Sequence, residues 1–395
     1  MKNTLVAAVS AAAILTAAPA LADDIKLGVL LGFTGPVESL APPIASGAEL
    51  AMKEVSDSGA LLDGVTVTPV RGDSTCIDAG AATAAGERLV TADGVKGIMG
   101  AMCSGATTAV LQNVGVPNGV VMISPSATSP ALSTIDDGGL FFRTAPSDAR
   151  QGDVIGEMLK ERGISSAALT YTNNDYGKGL ADAIAAAAEA NGVDITINAA
   201  HEDGKGDYSA EVAALAAAGG DILIVAGYLD QGGRGIIQGS LDSGAFDTFV
   251  LPDGMVGASL PEAIGPLLDG SFGVVPGTDS SGKEIFATMA ADAGFEPSVY
   301  TAEGYDAAAL ILLAMQAAGS TDPAQYKDRI MDVANGPGEE ILPGELAKAI
   351  QILKDGGEVD YVGASAVELI GAGESAGNFR EVTIKDGGIE TVQYR

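Results

Sequence analysis

Short apolar runs and longer amphipathic segments alternate along most of this chain. The apolar runs lie at 25–31, 65–70, 95–99, 120–123, 167–171, 193–198, 222–226, 248–251 and 272–275. Helical patterns lie between them, near 40–58, 78–92, 105–114, 148–162, 177–191, 207–218, 232–243 and 258–268. A strand that is apolar along its whole length is buried on both faces, which is what a parallel sheet covered by helices requires. Right-handed crossovers wind such a sheet into a doubly wound α/β lobe. After 277 the pattern turns mainly helical (281–293, 299–318, 323–333, 343–355), with weaker strand signals at 366–370 and 380–385. The Gly- and Glu-rich stretch 334–378 takes no clear assignment. A chain of 395 residues exceeds what one hydrophobic core usually serves, so two lobes are expected.

The first residues decide which chemistry is open to the two cysteines. Lys2, an apolar segment at 5–18 and Pro19-Ala20-Leu21-Ala22 read as an export signal cut after Ala22. No cysteine stands at that cut, so no lipid anchor is expected there. No later apolar run reaches the roughly 18 to 20 residues of a membrane span. In an oxidising compartment Cys76 and Cys103 are expected to pair, and two cysteines allow one pairing only. Their spacing is unlike the C-x-x-C of a catalytic dithiol. The net charge of −31 repels nucleic acid and anionic lipid, so neither is an expected partner.

In open parallel sheets, ligands bind at the carboxyl ends of the strands. In the first half those ends carry Cys103-Ser104-Gly105-Ala106-Thr107 and Ser124-Pro125-Ser126-Ala127-Thr128. Hydroxyls and free backbone N–H groups at helix starts suit an anion such as a carboxylate. In the second half they carry Thr172-Asn173-Asn174-Asp175-Tyr176, Gly227-Tyr228-Leu229-Asp230 and Pro252-Asp253-Gly254. Tyrosines and carboxylates suit an ammonium, and a molecule with both ends is an amino acid. Each feature also has a plain reading: Ser and Thr are ordinary helix caps, and Pro-Asp-Gly is an ordinary turn.

The segments "IKLGVLLGFTGP", "GAELAMKEVSDSG", "DSTCIDAGAAT", "MCSGATT", "MISPSATSPAL", "FRTAPSDARQG" and "NDYGKGLADA" run in register from about 25 to 255. This series resembles the branched-chain (leucine/isoleucine/valine) amino-acid-binding proteins, the extracytoplasmic substrate-binding subunits of ATP-driven importers. The resemblance thins after Tyr305-Asp306-Ala307-Ala308. It implies two lobes joined by a three-crossover hinge with the ligand cleft between them, the type I periplasmic-binding fold. The lobes would be 23–145 plus 277–377 and 146–276 plus 378–395. It implies a free amino acid as ligand, a periplasmic location and delivery to membrane permease subunits. Ser104, Ser126 and Thr128 would take the ligand carboxylate, and Tyr228 and Asp253 its ammonium. Leu40, Tyr176 and Tyr305 would line the side-chain pocket. The family also carries a disulfide matching Cys76 and Cys103. It commonly has Glu where this chain has Asp253, one methylene shorter.

Motifs of other classes fall short. Gly373-Glu374-Ser375-Ala376-Gly377 fits G-x-S-x-G, but the only histidine, His201, precedes it, against the Ser…Asp/Glu…His order of that fold. Gly277-Thr278-Asp279-Ser280-Ser281-Gly282-Lys283 misses a P-loop because Glu284 stands where a magnesium-binding hydroxyl belongs. Arg71-Gly72-Asp73 reads as a strand end. One histidine and two bonded cysteines offer no zinc or iron site. The expectation is a monomeric, non-catalytic binding protein without cofactor or metal. The alternatives are another amino acid, an amide or a small carboxylate as ligand, or a ligand-sensing module of the same fold.

Overall fold

The structure, a computed structural model, describes residues 24–395, so the signal-peptide expectation at 1–22 lies outside the described residues. The chain first lays down β1 (Asp24–Leu31), β2 (Thr66–Asp73), β3 (Ile98–Gly100), β4 (Met122–Ser124) and β5 (Phe141–Pro146). A second series follows: β6 (Ser166–Thr172), β7 (Asp194–His201), β8 (Ile222–Ala226), β9 (Phe249–Leu251) and β10 (Phe272–Pro276). Further on, β11 (Glu339–Ile341) and β12 (Val359–Tyr361) form a small parallel pair. Then β13 (Leu369–Ile370) and β14 (Glu374–Ser375) return to the first sheet, and β15 (Phe379–Lys385) and β16 (Gly388–Tyr394) to the second.

The two seven-stranded sheets have matching orders, β13-β14-β5-β4-β3-β1-β2 and β16-β15-β10-β9-β8-β6-β7. Their inner strands are parallel, while β13, β15 and β16 pair antiparallel at the margins. These are two doubly wound α/β lobes. The chain passes between the sheets three times: after β5, after β10 and between β14 and β15.

The apolar runs explain the strands. All five residues of β8 are buried, as both-face covering requires. Helix Ala41–Ser58 starts on Pro42 and Pro43 and stops at Gly59, whose φ of 60° terminates it. That helix packs on helix Thr301–Ala318, buried on nearly every side, and a Cβ on Gly47 would come within 2.4 Å of Thr301 O. Arg71-Gly72-Asp73 closes β2, and 277–280 leads into helix Ser281–Ala293. Ser375 lies in the two-residue strand β14, between β13 and β5, without the strand-to-helix turn of a nucleophile.

The Cys76–Cys103 disulfide is formed and ties the loop after β2 to the loop after β3. Their separation of 27 residues gives a loop-closure contribution of about 3.5 kcal/mol. The double variant Cys76→Ser/Cys103→Ser should therefore lose about 2 to 4 kcal/mol in urea unfolding. A loss below about 0.5 kcal/mol would mean the bridge restrains nothing that unfolding releases.

His201 ends β7 and is 1% exposed. The Thr170 hydroxyl donates to Ala199 O at 2.9 Å, so His201 Nδ1 is the donor in its 2.9 Å bond to Thr170 Oγ1. Its Nε2 is buried with no partner, and burial lowers the imidazole to about 4 from 6.5. The unfolded chain thus takes up a proton below 6.5 that the folded protein refuses until about 4. Stability from this residue is complete above 6.5 and is lost as pH falls through that window. Urea midpoints of His201→Gln should fall less steeply than those of the parent between those pH values. Equal slopes would show that His201 is not held neutral.

Candidate functional site

Two serine-rich loops of the first lobe are laced together at the carboxyl ends of β3 and β4. Ser124 Oγ donates to Ala101 O at 2.6 Å and accepts from Ala127 N at 2.9 Å. Ser126 Oγ donates to Met102 O at 2.9 Å. Ser104 opens the helix after Cys103, and its Oγ accepts from Ser129 N at 3.1 Å. That bond uses a lone pair and leaves the Ser104 hydroxyl proton free to donate. The disulfide fixes the loop at the preceding residue.

The second lobe presents an acceptor. Asp253 follows β9 at 1% exposure, and Tyr176 and Tyr228 stack beside it with ring centroids 5.2 Å apart. Tyr176 OH donates to Asp253 Oδ1 at 2.6 Å, and Gly254 N donates to the same oxygen at 2.8 Å. Gly254 also donates to Tyr176 OH at 3.1 Å, an approach in which a Cβ would lie 2.7 Å from that oxygen. Tyr300, at the head of helix Thr301–Ala318, donates to Asp253 Oδ2 from the opposite side. Two phenol hydroxyls and the Gly254 amide thus donate to the Asp253 carboxylate, and among the described residues no cation forms an ion pair with it. Burial raises its pKa, and the hydroxyl and amide donors offset only part of that.

A second carboxylate stands behind the first. Asp148, fully buried at the start of helix Asp148–Glu161, accepts from Gln151 Nε2 at 2.8 Å, while Gln151 Oε1 accepts from Asp253 N at 3.0 Å. Burial, and next the charge of Asp253, push Asp148 well above the usual carboxylate range. The Thr128 hydroxyl lies near enough to stabilise Asp148 but lacks hydrogen-bond geometry. Thr128 Oγ1 and Asp148 Oδ2 are thus both buried without a partner.

These groups face a small cavity of about 30 Å³ between the lobes, closed by Val37, Leu40 and Met102 on its apolar side. The fold brings Leu40, Ser104, Ser126, Tyr176, Tyr228 and Asp253 to its wall. Thr128 sits one layer behind, against Asp148. Tyr305 is elsewhere, and its expected place in the side-chain pocket is corrected. Its OH donates to Glu54 Oε2 at 2.6 Å and accepts from Gly344 N at 3.3 Å, with Phe286 against the ring. Tyr300, five residues earlier, reaches the cavity instead, beside Tyr176 and Tyr228. Sequence reasoning missed it along with Met102, Asp148 and Gln151.

The lobes touch across the mouth of this cavity. Asp230 N donates to Pro36 O at 3.1 Å, and Ser39 N donates to Asp230 Oδ2 at 3.0 Å. Ser259 Oγ donates to Asp230 Oδ1 at 2.7 Å and lies 3.3 Å from Ser39 Oγ. This is a closed arrangement of the two lobes.

Residues 24–336 match the family model described as periplasmic binding protein. The chain belongs to the periplasmic binding protein family. It is 31% identical over 353 residues to Leu/Ile/Val-binding protein homolog 1 of Brucella melitensis, covering 88% of this chain and 92% of that protein. It is 26% identical over 313 residues to the leucine-, isoleucine-, valine-, threonine- and alanine-binding protein of Pseudomonas aeruginosa, covering 78% and 82%. Among solved structures, the leucine-binding protein LivK of Thermotoga maritima superposes with a TM-score of 0.78 at 20% identity, covering 94% of this chain and 98% of that one. LivJ of Streptococcus pneumoniae, solved with isoleucine, gives 0.76 at 22% identity, covering 94% and 99%. A solute-binding protein of R. palustris solved with benzoate gives 0.75 at 19%, covering 94% and 96%. The shared fold is that of the two-lobed binding proteins, a family of substrate-binding proteins rather than enzymes.

In such a binding protein the Asp230 bonds to Pro36 and Ser39 cross between the lobes and need them closed, so they stabilise the closed state without touching a ligand. Asp230→Ala should weaken ligand binding about five- to tenfold through faster dissociation, with the melting temperature of the empty protein unchanged. Stopped-flow release at the parental rate would show that the mouth contacts do not hold the lobes together.

Proposed function

We propose that this protein binds a small aliphatic amino acid between its lobes, with branched-chain residues as the preferred class. It would deliver that ligand to the membrane permease subunits of an ATP-driven importer. The observation that carries the reading is Asp253: a buried carboxylate held by two phenol hydroxyls and an amide and paired with no cation, lining the same small cavity as a Ser104 hydroxyl that is free to donate. Desolvating a carboxylate without a counter-charge is costly, and a ligand ammonium supplies that charge. Ser104, with the amides near Ser126, takes the ligand carboxylate, while Thr128 acts from behind through Asp148. Tyr228 adds a hydroxyl beside the ammonium. Val37, Leu40 and Met102 offer hydrocarbon to the side chain. The names of the Brucella and Pseudomonas relatives agree with this chemistry.

The chain would do this as an exported periplasmic monomer, cut after Ala22, with lobes 23–145 plus 277–377 and 146–276 plus 378–395 hinging about the three crossovers. No catalytic step belongs to this reading. Ligand binding is its whole chemistry, and the importer supplies the energy.

The experiment removes one charge at a time. Calorimetry should find L-leucine bound tightly, with leucinamide and 4-methylpentanoate each at least about thirtyfold weaker, since loss of a desolvated charge partner costs roughly 2 to 5 kcal/mol. Asp253→Asn should lower leucine affinity by a similar factor. Ser104→Ala should lower it about tenfold to a hundredfold, because one hydrogen bond to a charged group is lost. A des-amino acid that binds as well as leucine would refute the ammonium site and favour a carboxylate ligand.

A further inference from the structure

Helix Asp175–Ala190 of the second lobe begins with the residue that holds Asp253, Tyr176. One turn on, along the same helix face, stands Gly179. Its φ is not positive, so its backbone would accept any residue. Inside a helix, glycine is less favourable than alanine, because its backbone loses more freedom on ordering. Gly177 answers to its own lobe: a Cβ there would lie 2.1 Å from Thr172 O. Gly179 answers to the other lobe. Beyond the helix's own backbone, the three atoms nearest to a Cβ on Gly179 all come from the first lobe. They are Pro130 Cδ at 2.9 Å, Ser129 Oγ at 3.2 Å and Pro130 Cγ at 3.9 Å.

These atoms have little room to yield. Pro130 opens the 3-10 turn Pro130–Thr134, and its Cδ is bonded to its own backbone nitrogen in a ring that fixes φ. Ser129 is 2% exposed, its N donates to Ser104 Oγ at 3.1 Å, and its carbonyl accepts from Arg143 Nη1 at 2.9 Å. The surface under Gly179 is therefore tied directly to the Ser104 half of the cleft. The helix that carries Gly179 is tied through Tyr176 to the Asp253 half. A shift between Gly179 and Pro130 is a shift between the two half-sites. An added methyl at such a contact forces the packed surfaces apart. With the lobes open, the first lobe no longer opposes it.

We propose that Gly179 is a positioning residue for closure. Its missing side chain lets helix Asp175–Ala190 seat on Ser129 and Pro130, and so sets the distance across which the two half-sites share one ligand. The proposal rests on the cleft reading for the ligand, and on the fold alone for the closing motion.

The signs of two measurements separate this role from that of an ordinary helix residue. Gly179→Ala should raise the melting temperature of the empty protein, whose lobes can part, by about 2 to 4 °C. The same change should weaken L-leucine binding in calorimetry about tenfold. With Pro130→Ala added, the ring is gone, and affinity should return to within about threefold of Pro130→Ala alone. Leucine affinity of Gly179→Ala within about twofold of the parent overturns the proposal. So does a loss accompanied by a lower melting temperature, or one that persists beside Pro130→Ala. A parent that binds no leucine counts against the cleft reading instead, and closing is then read without ligand from the double variant Ser39→Cys/Ser259→Cys. The two native hydroxyls lie 3.3 Å apart across the mouth, so oxidised glutathione should bond the introduced thiols when the lobes close. Adding Gly179→Ala should slow that bonding in the empty protein about tenfold. Equal rates would overturn the role of Gly179.

Discussion

A carboxylate without a cation, enclosed between two separately folded sheets, is the constraint on which the rest of the structure depends. Asp253 comes from the second lobe and Tyr300 from a helix packed on the first, so the acceptor is fully dressed only when the lobes meet. Apart, the lobes let water solvate the charge. Together, they exclude water, and the remaining demand is for a positive group. On the proposed reading, ligand binding and closure are therefore one equilibrium, biased by whatever supplies that group.

Much of the remaining detail holds the two half-sites rigid. On the first lobe the disulfide and the Ser124 and Ser126 bonds fix two loops so that Ser104 keeps its proton available. On the second, the Tyr176–Tyr228 stack and the side-chain-free Gly254 set the phenol oxygen on Asp253. A site so preorganised loses little conformational freedom when the ligand arrives. The Asp230 bonds to Pro36 and Ser39 at the mouth add to closure from outside the ligand's reach.

Sequence pattern reached the fold wherever a strand was apolar throughout. Ile222–Ala226 and helix Gly232–Ser243 have the limits their patterns predict. β5 escaped, because Arg143 and Thr144 interrupt its hydrophobicity. Arg143 is nonetheless 1% exposed, satisfied by the carbonyls of Ala127 and Ser129 and by Glu374 at 2.5 Å. The hairpin partner β16 escaped because an exposed edge carries no apolar signal. At the site, the strand-end residues were legible because parallel sheets place ligands there. Tyr305 was misplaced because it lies inside helix Thr301–Ala318 and turns towards Glu54, whereas Tyr300 precedes the helix and turns into the cleft. Tyr300 carries a φ of 66°, uncommon for a residue other than Gly, Asn or Asp, and no local pattern announces such a turn. Asp148 stands in a first helical turn, where acidic residues are common, and only packing reveals it beside Asp253.

The central claim concerns orientation: one amino acid spans the cleft with its charges shared between the lobes. A crystal structure grown with L-leucine tests it most directly. The account predicts closed lobes, the ammonium nitrogen about 3 Å from an Asp253 oxygen, and a carboxylate oxygen about 3 Å from Ser104 Oγ. Leucine bound in the cleft with its ammonium away from Asp253, or bound between lobes that stay apart, would contradict it.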